Sequence, residues 1–419
     1  MTVFSALTIR GRCLVAAGVA AAGCSLALDE RDLLRVAAFV TTLPLLALLV
    51  SGRGRRGVAA RREIFPGRVA VGSEATVRLH ITGRGRIALG SLLLEDGVPH
   101  ALGGRPRFLV HAAGRRSGSI VEYTVQPRLR GIHQIGPLRT RVSDPFGLSE
   151  FERELADRNR LVAVPKVVPL GGLPAGAGRG AGEDGSTRLR AGYGEDDSTV
   201  RQYRHGDDMR RVHWKTTARR DELMVRVEER PWHGGLTVLL DRRSAAHRGS
   251  GAASSLEWAV SAAASICTHL HRQGEQVRLV TEDEQILASG TGFSETDHNE
   301  RVLEALAALR PSAQRDLVWG SDPGGGRELI AVLGATTASG VAELTRLRPH
   351  GTRSLAVLLD VRAWSGDTGD GGFDPRDTAR RLRASGWTTV IVEGPHVSMP
   401  EVWAELCREG TAQQGSGVA

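Results

Sequence analysis

Lysine is almost missing from this chain. Of 55 Lys and Arg residues in 419, only Lys166 and Lys215 are lysines. Amine chemistry is thereby confined to two positions. The working cation is the planar guanidinium, which pairs bidentately with carboxylates and phosphates. Aromatics are also scarce, at 4%, which argues against a nucleic-acid surface of interleaved stacking rings. The net charge of +8 lies largely beside the apolar N-terminal segments and is not read as a DNA-binding signal. Four cysteines, Cys13, Cys24, Cys267 and Cys407, form no CxxC pair and no zinc-type spacing, so no disulfide framework is expected. That fits soluble parts facing a reducing compartment. There is no HExxH and no nucleophile elbow, and Gly324-Gly325-Gly326 is not followed by the Lys-Ser/Thr of a phosphate loop.

What is present divides the chain into several parts. Cys13 to Leu28 and Val36 to Val50 are apolar runs separated by Asp29, Glu30, Arg31 and Asp32. Each is a little short of the roughly 20 residues of a membrane span, and snorkelling flanks make up the difference. Arg10 and Arg12 precede the first run; Arg53, Arg55, Arg56, Arg61 and Arg62 follow the second. The positive-inside rule places both ends in the cytoplasm, giving a two-pass hairpin over residues 1–62. A signal peptide ending near Ala21-Ala22-Gly23-Cys24 is the competing reading. The second run and its arginines weigh against it.

Residues 63–170 alternate in the β manner at Val77, Leu79 and Ile81, at Val121, Tyr123 and Val125, and at Leu138, Thr140 and Val142, which predicts a β-sandwich. Residues 171–198 are rich in Gly, Ala and Ser and read as a linker. From 233 to 410, strands are expected at Leu236–Asp241, Val277–Thr281, Glu328–Leu333, Ser354–Asp360 and Thr388–Val392, with helices between them, notably Ser254–Arg272 and Val302–Leu309. Alternating strand and helix predicts a doubly wound α/β sheet. Residues 411–419 read as a flexible tail. Cys267, His269 and His271 look metal-like, but residues two apart on a helix do not face each other. A core cysteine with surface histidines is expected instead.

Residues 199–232 carry the densest chemistry. Tyr203, Gly206, Asp207, Asp208, Arg210, Arg211, His213, Trp214, Lys215 and Arg219 fall within one short segment. Asp207 is placed to N-cap a helix, Asp208 sits in its first turn, and a strand follows from Leu223 to Val227. Three readings stand side by side. The segment is a clasp of ion pairs with Trp214 packed between domains, or a docking surface rich in the Trp, Tyr and Arg of interface hot spots, or an acid–base site using Asp207, His213 and Lys215.

YRHGDDMRRVHWKTTAR, together with RLRGIHQIGPLRTRVSDPFGL from Arg128 and LVAVPKV from Leu161, resembles the domain-of-unknown-function 58 family. The resemblance implies a bacterial, membrane-anchored protein with a von Willebrand factor A-like domain. It also implies pairing with a MoxR-type AAA+ ATPase, often alongside membrane proteins with transglutaminase-like domains. In the metal-binding version of that domain, the first strand ends in Asp-x-Ser-x-Ser. Here the positions read Asp241, Arg243 and Ala245, with Ser244 out of register. The hydroxyl ligands a hard cation needs are missing, so neither metal nor cofactor is expected. The expected function is a membrane-anchored scaffold rather than an enzyme. The alternative is a hydrolytic or phosphate-handling site at the signature segment.

Overall fold

The computed structural model describes residues 6–54, 58–83, 91–111, 118–143, 146–174, 199–202, 224–227, 235–289, 295–349, 352–365 and 373–416. It forms two units, Met1–Val164 and Pro165–Ala419.

The first unit opens with helix α1 (Ile9–Leu28) and helix α2 (Arg31–Gly54). Both are long and apolar enough to cross a membrane. They outrun the apolar stretches of the sequence because their polar ends are also helical. Thr8 N-caps α1 by accepting from the Gly11 amide. The first turn of α2 carries an Asp32–Arg35 pair at 2.9 Å. Asp29, at φ 50°, reverses the chain between them. A methyl at Gly18 would lie 2.2 Å from the Thr41 hydroxyl, so the small residue is what lets the helices approach. Val19, Leu26, Phe39 and Leu49 point outward, as lipid-facing residues would.

Ten strands follow among the described residues: β1 (Val58–Phe65), β2 (Arg68–Ala70), β3 (Ala75–Gly83), β4 (Ser91–Asp96), β5 (Arg107–His111), β6 (Gly118–Val125), β7 (Gly131–Ile135), β8 (Leu138–Ser143), β9 (Glu150–Ala156) and β10 (Asn159–Val164). They pair as β1-β3-β6, β2-β10-β7 and β5-β4-β8-β9. Alternate residues of β3, Val77, Leu79 and Ile81, are buried in one core with Leu94, Ile135, Leu138 and Leu161 from the other sheets. Each such side chain contributes about 1.5–3 kcal/mol by leaving water.

β1 begins at Val58, so Arg61 and Arg62, read from sequence as part of the basic flank of the second span, lie in a strand. Arg62 is buried and forks onto Asp96, with further bonds to the Ile135 carbonyl (3.1 Å) and Asn159 Oδ1 (3.0 Å). Tyr123 donates to the same carboxylate at 2.6 Å. The positive charge is spent inside the β domain, and the basic flank is shorter than the sequence suggested.

The second unit starts with a strap. Val167, Leu170 and Leu173 pack on the α/β core, and the Val168 amide donates to Ser265 Oγ at 3.0 Å. Residues 165–170, expected in the β-sandwich, and 171–174, expected in the linker, thus belong to the second unit. Strands β11 (Thr199–Gln202) and β12 (Met224–Val227) form an antiparallel pair with Gln202 opposite Met224.

The main sheet contains β13 (Leu236–Leu240), β14 (Val277–Thr281), β15 (Ile286–Ser289), β16 (Glu328–Leu333), β17 (Ser354–Leu359) and β18 (Thr388–Val392). Their order is β15-β14-β13-β16-β17-β18. All neighbours are parallel except β15, an antiparallel edge absent from the sequence reading. Helices α3 (Ser255–Arg272), α4 (Glu295–Ala308), α5 (Ala338–Leu347), α6 (Pro375–Ala384) and α7 (Met399–Ser416) complete the domain. Every β13 residue is buried, and alternation assigns each to a face. Leu236, Val238 and Leu240 meet α3, α4 and α7; Leu239 meets α5 and α6. Helices on both faces make the sheet doubly wound, as the continuous apolar strands predict.

Candidate functional site

In a doubly wound sheet, ligands bind beyond the carboxyl ends of the strands where the winding direction reverses. Here that point lies between β13 and β16, because the chain leaves β13 for β14 on one side and later returns as β16 on the other. Asp241 follows β13 and Gly334 follows β16, so both stand at this crevice.

The crevice is closed by the chain itself. Asp241 is fully buried, and Arg243 is 2% exposed. The guanidinium grips the carboxylate through Nε to Oδ1 (2.9 Å) and a terminal nitrogen to Oδ2 (2.8 Å). The Arg243 amide adds a third bond at 3.1 Å, and the Gly334 amide a fourth at 3.3 Å. Two of the three remaining guanidinium hydrogens go to the carbonyls of Arg315 (2.8 Å) and Ala335 (3.1 Å). An ion pair this buried is tolerable only when its other donors and acceptors are largely satisfied, and here each guanidinium nitrogen has an acceptor. Gly334 must be glycine, since a Cβ would sit 2.2 Å from the Ala246 carbonyl oxygen.

Asp241 is steadied from behind. Its carbonyl oxygen accepts from His247 Nε2 at 2.8 Å, and His247 Nδ1 lies 3.1 Å from Ser255 Oγ. A carbonyl only accepts, so Nε2 carries the proton and Nδ1 is free to accept from the serine. Burial holds the His247 pKa below its ordinary value. On the other flank, the Arg242 amide donates to Glu282 Oε2 at 3.1 Å, and the Arg242 guanidinium reaches Asp283 at 2.7 Å. Glu282 is fully buried, and burial pushes its carboxyl pKa up.

A divalent ion does not fit this donor set. Both Asp241 oxygens are held by a guanidinium that occupies the cation position, and a second positive charge beside Arg243 would be repelled. Ser244 is exposed, and its amide donates to the Ser312 carbonyl at 2.8 Å. Thr336 Oγ1 donates to Gly334 O, and Thr337 N-caps α5. Among the described residues, no group of three or more His, Cys, Asp or Glu could hold a metal.

Of the residues singled out from sequence, the structure brings Asp241 and Arg243 together. Tyr203, Gly206, Asp207, Asp208, Arg211, His213, Trp214, Lys215 and Arg219 lie outside the described residues; the stretch they occupy joins β11 to β12. Cys267 is buried, as expected, and burial pushes its thiol up to about 12. The expected surface position of His269 is corrected: it is 7% exposed, lies edge-on to Trp403 at 5.6 Å, and meets the Gly172 carbonyl at 2.6 Å. The strap, invisible to helix periodicity, is what covers it. His247, Ser255 and Glu282 were missed. A histidine and a glutamate just beyond two strand ends were the available signal.

The unit is thus a doubly wound α/β domain whose switch-point crevice is closed by an internal ion pair. Residues 199–322 match the model of a family described as "Protein of unknown function DUF58", the family that the Tyr203–Arg219 segment resembles. No curated protein matches the chain. Among solved structures, the CARDB domain of the PF1109 protein from Pyrococcus furiosus, in complex with di-metal ions, is 17% identical with a TM-score of 0.19, covering 26% of this chain and 88% of that one. Spo0M, a sporulation control protein from Bacillus subtilis, is 15% identical with a TM-score of 0.13, covering 26% and 49%. Cwp6 from Clostridium difficile is 9% identical with a TM-score of 0.15, covering 84% and 39%. At these scores the likenesses carry no argument.

Proposed function

We propose that this chain is a membrane-anchored scaffold with cytoplasmic soluble domains. It docks a protein partner, a MoxR-type AAA+ ATPase, through the segment from Tyr203 to Arg219 and a degenerate von Willebrand A-like domain. A membrane protein with a transglutaminase-like domain is a second partner on the same reading. The observation that carries the proposal is the filled crevice. At the place where a sheet of this topology receives a small ligand or ion, Arg243 supplies the cation and Asp241 is fully occupied. The domain then serves as a platform for surfaces and not as a pocket for chemistry. The β11–β12 pair supports the docking role, because it holds the two ends of the signature stretch side by side. The two apolar helices support the anchor.

The test is a pull-down of tagged full chain in native detergent with ATP or ADP, comparing wild type with Trp214→Ala. Nucleotide-dependent recovery of an AAA+ ATPase, lost in a folded Trp214→Ala chain, is the expected outcome. Recovery of no ATPase by the folded wild type would remove the proposal's main support.

A further inference from the structure

The β domain is fastened to both helices of the hairpin at one level. The Thr8 amide donates to the Leu148 carbonyl at 3.0 Å, and Thr8 Oγ1 to the Gly147 carbonyl at 2.7 Å. Leu7 bridges Ser149, and Ser149 Oγ donates to the Ala47 carbonyl of α2 at 3.3 Å. Leu7, Leu48 and Ala6 form a small apolar cluster here, with Val15 of α1 and Phe151 of β9 packed on it. The turn at residues 146–149 is thus held against α1 and α2 together.

That contact has a defined depth. A Cβ on Gly11 would meet the Leu148 carbonyl, and the apolar run of α1 starts at Cys13. At 1.5 Å per residue, Leu148 meets α1 about 3 Å outside that run. The apolar run of α2 ends at Val50, so Ala47 lies about 4.5 Å inside it. The turn therefore straddles the edge of the hydrocarbon, beside a headgroup layer about 5–8 Å deep. Phe146 directly precedes Gly147 and is 66% exposed; Ile9 directly follows Thr8 and is 79% exposed. One exposed apolar side chain is ordinary. Two that flank a single hydrogen bond at the edge of the hydrocarbon continue the lipid-facing surface of the hairpin. The charges agree. Arg10 and Arg12, exposed in the first turn of α1, stand where lipid phosphates would be. Glu150, beside the turn, is offset by Arg141 at 3.5 Å.

We propose that the turn at Phe146 is a membrane-seating element. The Phe146 ring enters the interface of the leaflet at which both ends of the hairpin emerge, where burying it removes apolar surface from water. This corner of the β domain then rests on lipid, in addition to its covalent tether through α2. The proposal rests on reading α1 and α2 as spans, and its test separates the two.

The experiment is tryptophan quenching of the full chain in nanodiscs of phosphatidylcholine, with bromine placed on the acyl chains either near the headgroup or near the chain end. The native tryptophans all lie at residue 214 or beyond, so a tryptophan added to the first unit is read as the difference from wild type. Phe146 is exposed, so Phe146→Trp needs no repacking. It should be quenched at least twofold more by shallow bromine than by deep bromine. Phe39→Trp, within α2 and at a position 69% exposed, should be quenched best by deep bromine. Phe65→Trp, at the end of β1 farther from α2 and at a position 81% exposed, should not be quenched. Quenching of Phe39→Trp without quenching of Phe146→Trp overturns the seating element and leaves the spans standing. Absence of quenching in both overturns the spans and the seating element together.

Discussion

Arg243 is a cation that the chain supplies to its own carboxylate. Because Asp241 has no water to fall back on, removing the partner strands a buried charge. Arg243→Ala should therefore cost about 3–5 kcal/mol, read from urea unfolding of the full chain in micelles. A loss below about 1 kcal/mol would mean that Asp241 is rehydrated or protonated at little cost. His247 gives the same corner a pH dependence whose sign is fixed. Burial lowers its folded pKa from 6.5, so below pH 6.5 the unfolded chain takes up the proton first. The stability His247 contributes is complete above 6.5 and is lost as pH falls through the lower folded value. His247→Gln should lack this acid-side decline, although it is less stable at pH 7.5 for want of two hydrogen bonds. Parallel stability–pH curves for the two chains would contradict the assignment.

Elements in this molecule are fastened by close approaches and backbone carbonyls more than by periodic faces. At the foot of the hairpin, the Thr8 amide donates to the Leu148 carbonyl at 3.0 Å, and Thr8 Oγ1 to the Gly147 carbonyl at 2.7 Å. A Cβ on Gly11 would lie 2.2 Å from the Leu148 carbonyl oxygen, a backbone atom that cannot swing aside. Gly11→Ala should lower stability by about 1–3 kcal/mol through overpacking, seen as a lower thermal midpoint. Gly23→Ala, with open space around it, should not. The strap of the second unit is fastened similarly, with Trp403 Nε1 donating to the Gly172 carbonyl at 3.2 Å. Trp403→Phe keeps most of the buried ring and loses the donor, about 1 kcal/mol. Protease cleavage within residues 165–174 should speed up, and an unchanged rate would show that the strap is held by its apolar residues alone.

At the scale of the whole molecule, anchoring is the property with the most direct test. Two helices of 20 and 24 residues supply enough length for the roughly 30 Å of hydrocarbon in a bilayer. The full chain should sediment with membranes and resist carbonate extraction. Release into the soluble fraction would show that the helices pack on protein instead.

The residues alone determined the two apolar helices, the β-rich region and the parallel sheet. Each rests on a short-range repeat, and β16 and β18 run over the same residues that the pattern marks out, Glu328–Leu333 and Thr388–Val392. A strand buried on both faces has to be apolar throughout, and that is visible in one dimension. The sequence also places Arg243 and Ala245 where the metal-binding loop of the resembled domain would carry serines. Only the tertiary structure decided what fills the crevice. Arg243 reads as one more surface arginine until the fold brings the carbonyls of Arg315 and Ala335 around it. Arg62 and the strap over His269 were hidden for the same reason. Each is defined by acceptors on segments distant in the chain, and a local repeat carries no record of them.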